Sequence, residues 1–446
     1  MRWYALGAAA VLTMIGAALW GPGPVLLALL VATCAGWLIF SARGPSVIAV
    51  LIAVSPFVSR FVVPVSGFSV RPEMAVGLIA GLAVVVDVAF KRRRYKKSQL
   101  ALLGLLALWL IVGTLASLFF SPVVSASLVI IAWIFLGLCM AAWISLDRRR
   151  ARQVVRVSIW AAFIASLLAI LVWGGTFLGF TSWGVQLDPT YGGYAVYLTS
   201  LEANIFAGLI TLWSAVAMTR WGATVPAYIR VSVVCLAPVV ALAAHTRTAL
   251  IAWVFSLVIF AFARRARVVR WSIGLLLVGV FFLFASGVST GGLGLDKFGE
   301  IADFGSGTGS YRSLTWEFAL QDFLSSGSSL IGLGNNTFGL RHIDPSKPGL
   351  TEPWYLGNVF LQVLYDTGIL GSVLLVVAAL VLVIRTRSFS GFVILATYLI
   401  LGALTSVLWL AQTWIFVGLA LCLLIEDKRS AHVPMESTAV LSRASS

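Results

Sequence analysis

Apolar runs of 17–22 residues recur along this chain from Tyr4 to Ile425, separated by short polar breaks. Wound as a helix, each run is long enough to cross about 30 Å of hydrocarbon. The runs fall near residues 4–20, 24–41, 46–64, 74–90, 99–120, 126–145, 157–179, 200–218, 228–244, 247–263, 271–288, 368–385, 391–407 and 409–425. They predict an all-α fold, a polytopic transmembrane helical bundle of about 12–14 spans. The first run lacks a small-residue cleavage site and more spans follow it, so it reads as a retained helix.

One interruption is out of proportion to the rest. Residues 289–356 lie between spans, and loops beyond about 15 residues carry function or structure of their own. The pattern divides the chain into an N-terminal transmembrane bundle (1–288), a large extracytoplasmic loop with short helices (289–356), C-terminal transmembrane helices (357–425) and a polar, Ser-rich tail (426–446) that reads as disordered.

Composition agrees with burial in lipid. The chain is 60% hydrophobic and 11% charged, where soluble domains carry about 25% charged residues. The net charge of +15 would suggest nucleic acid if it clustered on a soluble face. Instead the basic residues sit between spans: Lys91–Arg94 with Lys96 and Lys97, Arg148–Arg150 with Arg152 and Arg156, and Arg264 and Arg265 with Arg267 and Arg270. Lys and Arg near span ends mark the cytoplasmic side, which places both termini in the cytoplasm and the large loop outside. Seven of the 16 acids lie in that loop, against four basic residues. The four cysteines fall inside spans without paired spacing, so no disulfide framework or metal cluster is indicated. No internal repeat stands out.

Few residues carry candidate chemistry. Arg247, in His245-Thr246-Arg247-Thr248 between two apolar runs, lies at the outer boundary, where it either snorkels to headgroups or pairs with an anion. Arg312 precedes Trp316, Leu320 and Phe323 at helical spacing, which predicts a helix starting near Ser310 with Arg312 in its first turn; arginine and helix N-terminus would both face a phosphate. Then comes a glycine turn, Ile331-Gly332-Leu333-Gly334-Asn335, able to bring backbone close to a ligand. His342, between Arg341 and Asp344, is the loop's one histidine and a candidate general base. Glu202, Asp188 and Glu317 are other candidates for that role.

The loop re-enters the membrane through Leu356-Gly357-Asn358-Val359 and continues to Tyr365-Asp366-Thr367-Gly368-Ile369-Leu370-Gly371. The Arg-x3-Trp helix, the Gly-x-Gly turn, and an Asn followed by an apolar stretch, an acid and Gly-Ile-x-Gly resemble the signature of the O-antigen ligase and polymerase family. Thr246-Arg247-Thr248-Ala249-Leu250 is similar to that family's Ser-Arg-x-Ala-Leu, and Glu202-Ala203-Asn204-Ile205-Phe206-Ala207 to its Pro-Asn-x-x-Ala element. The resemblance runs from about Glu202 to Gly371. Ligases of the family place a histidine directly before the asparagine, and this chain has Gly357 there, which tilts the expectation toward a polymerase.

The resemblance implies a bacterial cytoplasmic-membrane enzyme acting on the outer face. It would transfer a polyprenyl-diphosphate-linked glycan to an acceptor hydroxyl, without metal or cofactor, in cell-envelope polysaccharide assembly. Arg247 and Arg312 would hold the diphosphate, His342 or Glu202 would serve as base, and Trp316, Asn335, Asn358 and Asn204 would bind substrate. Expected partners are the lipid-linked glycan donor, a glycan or lipid-glycan acceptor, membrane lipid and other polysaccharide-assembly proteins; nucleic acid is not among them. The rival reading is a lipid-linked oligosaccharide flippase or other polysaccharide transporter, which would place its ionisable residues near mid-membrane.

Overall fold

The structure is a computed structural model that describes residues 43–65, 68–91, 93–181, 183–187, 193–264, 307–342, 356–386, 389–403 and 408–423, with residues 36, 41 and 405. The runs at 4–20, 24–41 and 271–288, and the tail at 426–446, lie outside them. Within the described residues the helices are α1 (Gly44–Val54), α2 (Pro72–Ala89), α3 (Lys97–Phe120), α4 (Val124–Ser145), α5 (Arg148–Phe177), α6 (Ala203–Met218), α7 (Ala227–Ala243), α8 (Arg247–Arg264), α9 (Gly307–Ser325), α10 (Thr337–Arg341), α11 (Val359–Thr386), α12 (Phe389–Ala403) and α13 (Ala411–Leu423). Two antiparallel hairpins of three-residue strands accompany them: β1 (Val63–Val65) with β2 (Phe68–Val70), and β3 (Val185–Leu187) with β4 (Tyr194–Val196). The fold is that of an all-α polytopic membrane protein. Among the described residues five helices are long and apolar enough to span a bilayer, and the shorter apolar helices α6, α7 and α8 pack on one another, on α5 and on α12. Leu171, Phe119 and Val85 are 71%, 73% and 60% exposed, which in a membrane means contact with lipid.

Two expected spans come out differently. The run at 46–64 is not one helix: α1 ends at Val54, a 3₁₀ turn covers Ser55–Val58, and the chain then enters β1. Pro56 and Pro64 lack the N–H that a continuing helix would need. The run at 368–385 matches the second of two helical pieces that a break at Gly368 divides within α11; the first piece, from Val359, lies before it.

Side-chain ties show which helix ends share a face. Gln99, at the start of α3, donates from Nε2 to Ser145 O (2.8 Å) and Leu421 O (3.3 Å), joining the ends of α4 and α13. On the same face the buried Arg150 pairs with Asp87, which also meets Lys91 Nζ at 3.0 Å. On the opposite face, Arg60 N–H donates to Thr199 O (3.0 Å) and its guanidinium lies 4.2 Å over the Tyr197 ring, which ties the segment before β1 to the one after β4. Close helix contacts rest on small residues, as is usual in membranes. Gly418 of α13 abuts Ala141 of α4, and a Cβ on Gly137 would lie 2.1 Å from the Trp414 ring.

Asp147 caps α5 on the basic face. Its Oδ1 accepts the Arg149 N–H (2.8 Å) and its Oδ2 the Arg93 guanidinium (2.7 Å). Burial pushes its pKa up, but these hydrogen bonds and the nearby arginine charges outweigh burial and hold the carboxyl below its ordinary value. A carboxyl depressed in this way stabilises the fold above its unfolded pKa and loses that contribution as pH falls through the folded one. Asp147→Ala is expected to cost about 1 kcal/mol. The thermal midpoint in detergent should drop at pH 7, and the gap to wild type should close on acidification; equal midpoints at pH 7 would refute the assignment.

Candidate functional site

The site is built where the loop returns to the bundle. α9 begins at Gly307, three residues earlier than its sequence suggested, so Arg312 lies in the second turn and not the first. The pairing of arginine with a free helix N-terminus therefore does not hold. Glycines at 307 and 309 leave Ser310 inside the helix. What sets Arg312 in place is the re-entry strand. Trp316, one turn on, donates its indole N–H to Leu356 O (2.9 Å) and draws residues 356–358 alongside α9. Gly357, buried and at φ +56°, then lies against Arg312: a Cβ there would be 3.7 Å from Arg312 Nε. Position 357, where the resemblance leads one to expect histidine, thus faces the arginine directly. The Asn358 side chain caps α11, its Oδ1 accepting the N–H groups of Phe360 (2.9 Å) and Leu361 (3.1 Å).

Arg247 and Asn204 reach the same level from the other side of α12. The Ser256 and Thr397 hydroxyls meet at 2.6 Å and set the register of α8 against α12. Counting nine residues along α8 to Arg247 and five along α12 to Gly402, at about 1.5 Å each, puts Arg247 about 6 Å above Gly402. Gly402 abuts Val359, two residues past Gly357, and Leu401 abuts Gly208, one turn past Asn204. Arg247, Asn204 and the Arg312–Gly357 pair therefore ring the end of α12 within about two helical turns in depth. Arg247 is half-buried at the start of α8, after His245 in the left-handed conformation (φ +51°). Glu202 stands at the N-cap of α6 with its backbone extended and its side chain not capping; Asn204 Oδ1 accepts the Ile205 N–H.

The glycine turn does approach backbone closely, but the backbone is the protein's own. Leu333 N–H donates to Tyr365 O (2.8 Å) and Gly334 N–H to Asp366 O (3.0 Å), while Ile369 and Leu370 N–H donate to Ser329 O and Leu330 O (both 3.0 Å). The turn plugs the break in α11 at Gly368 and satisfies the groups that the break frees, as apolar surroundings demand. Asn335 is buried beneath it, its backbone N–H on Ser117 Oγ (2.8 Å) and its amide nitrogen packed on Gly113 of α3. Asp366, likewise buried, accepts from the Asn336 N–H and the Gln362 amide.

His342 belongs to a different cluster. Its Nε2 lies 3.2 Å from Asp322 Oδ2, which also accepts the Tyr365 hydroxyl, and Arg341 Nη1 is 3.6 Å from Asp322 Oδ1. Asp322 is ten residues from Arg312 on one helix, about 15 Å along its axis. Of the other bases considered, Glu317 is exposed and accepts from Gln321, and Asp188 lies outside the described residues. Among the described residues no three His, Cys, Asp or Glu side chains come together.

Sequence reasoning missed Asp322, Tyr365 and Arg71. The guanidinium of Arg71, just before α2, lies 4.0 Å from the Trp133 ring and 5.1 Å from Trp409. An arginine beside the short loop after Pro64 was the available signal; its aromatic partners are 62 and 338 residues away.

An apolar cavity of about 890 Å³ lies between α3, α11, α12 and α13, lined along α11 from Val359 and Phe360 past Ala379 to Val383, and by Leu423 of α13. It descends nearly the length of α11 from the point where Arg312 lies. Comparison with known families matches residues 231–376, one third of the chain, to O-antigen ligase. The matched segment contains Arg247, Arg312, the glycine turn, Asn358 and Gly368, and leaves out Glu202 and Asn204. No curated protein and no solved structure matches the chain.

Proposed function

We propose that this chain, with its O-antigen ligase domain at residues 231–376, transfers a polyprenyl-diphosphate-linked glycan to an acceptor hydroxyl on the outer face of the bacterial cytoplasmic membrane. The observation that carries the reading is the position of Arg312, against Gly357 and so two residues from Val359, where the lining of the apolar cavity begins on α11. An amphiphile with an anionic head and a long hydrocarbon tail matches that juxtaposition. Its diphosphate would lie between Arg312 and Arg247, and its tail would follow α11 downward.

In this scheme the acceptor oxygen bonds to the anomeric carbon as the bond from that carbon to the diphosphate oxygen breaks. Charge grows on the leaving diphosphate, where two guanidinium groups already in place are worth most. The acceptor's proton goes to a carboxylate. We assign that role to Glu202, at the end of α6 that faces the ring, since His342 is held on Asp322, about 15 Å from Arg312 along α9. Trp316 and Asn358 hold the re-entry strand, Asn335 supports the plug beneath it, and Asn204 lines the α6 side. With no histidine at position 357, polymerisation is favoured over ligation to a separate acceptor.

The tail assignment has its own test. Ala379→Phe, towards the far end of the cavity's lining on α11, is expected to raise KM about tenfold for a full-length polyprenyl donor and hardly at all for one with two or three isoprene units. Equal KM changes for both donors would exclude the cavity. A flippase reading is separated by reconstitution: wild type in vesicles should form a glycosidic bond, whereas translocation of the intact lipid without bond formation would favour transport.

A further inference from the structure

The Asp322 cluster looks like an oriented base, yet its distance from Arg312 takes it out of reach of the reacting carbon. We infer that Phe318, Asp322, Arg341 and His342 form a glycan-binding subsite, separate from the diphosphate site, that takes a sugar ring of the extended substrate. This rests on the reading of the chain as a glycan transferase.

Three segments build the cluster. Phe318 and Asp322 come from α9, Arg341 and His342 from the end of α10, and Tyr365 from α11 supports them from below. The surface is open. Phe318 is 40% exposed, and the side chains of Arg341, His342 and Asp322 are 29%, 27% and 22% exposed. Beneath it the groups are anchored: His342 packs at a tilt on the buried Phe338, ring centroids 4.7 Å apart, and Arg341 Nη2 donates to Phe120 O at 3.0 Å. Little side-chain freedom remains to be lost when a ligand binds, which favours affinity.

The chemistry suits a sugar ring and little else. A pyranose has an apolar face of C–H groups and a rim of hydroxyls. Phe318 and His342, with ring centroids 6.3 Å apart, offer an apolar platform. The Asp322 carboxylate has about four acceptor positions and the Arg341 guanidinium five N–H donors, more than the cluster itself uses. The opposite charges on Asp322 and Arg341 suit a ring whose own charge is small. The cluster lies on the same helix as Arg312, about 15 Å on.

The test uses the full-length protein in detergent and, as probe, the glycan released by mild acid from the cell's own lipid-linked pool, which carries no diphosphate. Wild type should bind this glycan, measured by titration calorimetry. Phe318→Ala and Arg341→Gln, which leave the contacts of Asp322 with Tyr365 and His342 intact, should weaken binding at least tenfold. In transfer assays they should raise KM to a similar extent while kcat falls less than twofold. Arg312→Ala should bind the free glycan as wild type does and fail in transfer. Full binding by Phe318→Ala and Arg341→Gln, or no binding by wild type, would overturn the subsite. So would a His342→Gln protein that keeps its KM and loses kcat together with the pH dependence of kcat, since that is the signature of a base. Undiminished transfer by Arg312→Ala would instead sink the diphosphate reading and leave the subsite standing.

Discussion

Replacing Arg312 with alanine should lower the rate of glycan transfer by about 10²–10³-fold, the effect of removing one preorganised donor from a site of developing charge, with little change in folding. Arg312 is half-buried on α9 and lies against a glycine, so truncation opens space at the protein surface and leaves no buried cavity. Arg312→Lys should fall between the two, because a lysine keeps the charge and loses the planar fork that grips two phosphate oxygens at once. Single-turnover transfer by purified protein, beside a thermal melt, separates the two contributions. A folded Arg312→Ala protein that transfers at the wild-type rate would remove the chief support for the enzymatic reading. Arg247→Ala should behave alike, since both arginines are assigned to the same diphosphate.

The second large effect concerns the fold. Gly368→Ala should destabilise the protein by about 4 kcal/mol or more, beyond what most single substitutions do. Gly368 sits at φ +66°, ψ −167°, a conformation that side chains with a Cβ scarcely adopt. A Cβ there would also lie 2.4 Å from Gly332 N and 2.6 Å from Leu330 C, both backbone atoms that cannot swing aside. Gly332, at φ +81°, faces the reciprocal contact, with Gly368 N at 2.4 Å from its would-be Cβ. Either substitution would push the plug out of the break in α11 and strand the backbone groups that four hydrogen bonds now satisfy. Loss of monodisperse protein after extraction, or a fall in midpoint of more than ten degrees relative to wild type, is expected. Melting at the wild-type temperature would show that the turn and the break are not one unit.

Most of the transmembrane architecture was legible in the sequence because span length answers to a local constraint, the thickness of hydrocarbon. The runs at 74–90, 99–120, 126–145 and 228–244 match α2, α3, α4 and α7 to within a few residues. Failures occurred where proline or glycine altered the backbone inside an apolar run. Pro56 and Pro64 turned an expected span into a helix, a turn and a hairpin, and the helix start read at Gly368 is the second piece of a helix already begun at Val359. For the candidate site, the two arginines stood out as charges beside apolar segments. Their common level could not be read, because it depends on how α8, α11 and α12 pack.

The sequence by itself determined that this is a polytopic helical membrane protein, where its charges fall between apolar runs, and which residues carry motifs resembling those of the O-antigen ligase family. Those properties follow from run length, charge placement and short motifs, each confined to a few neighbouring residues. Only the tertiary structure decided how the motifs are arranged. It put the glycine turn into a helix break 34 residues further on, set Gly357 against Arg312, and held His342 on Asp322, about 15 Å from Arg312 along α9. The reason is physical: a hydrogen bond or a close backbone approach needs two partners, and in these cases the second lies 20 to 45 residues away, beyond the reach of any local pattern.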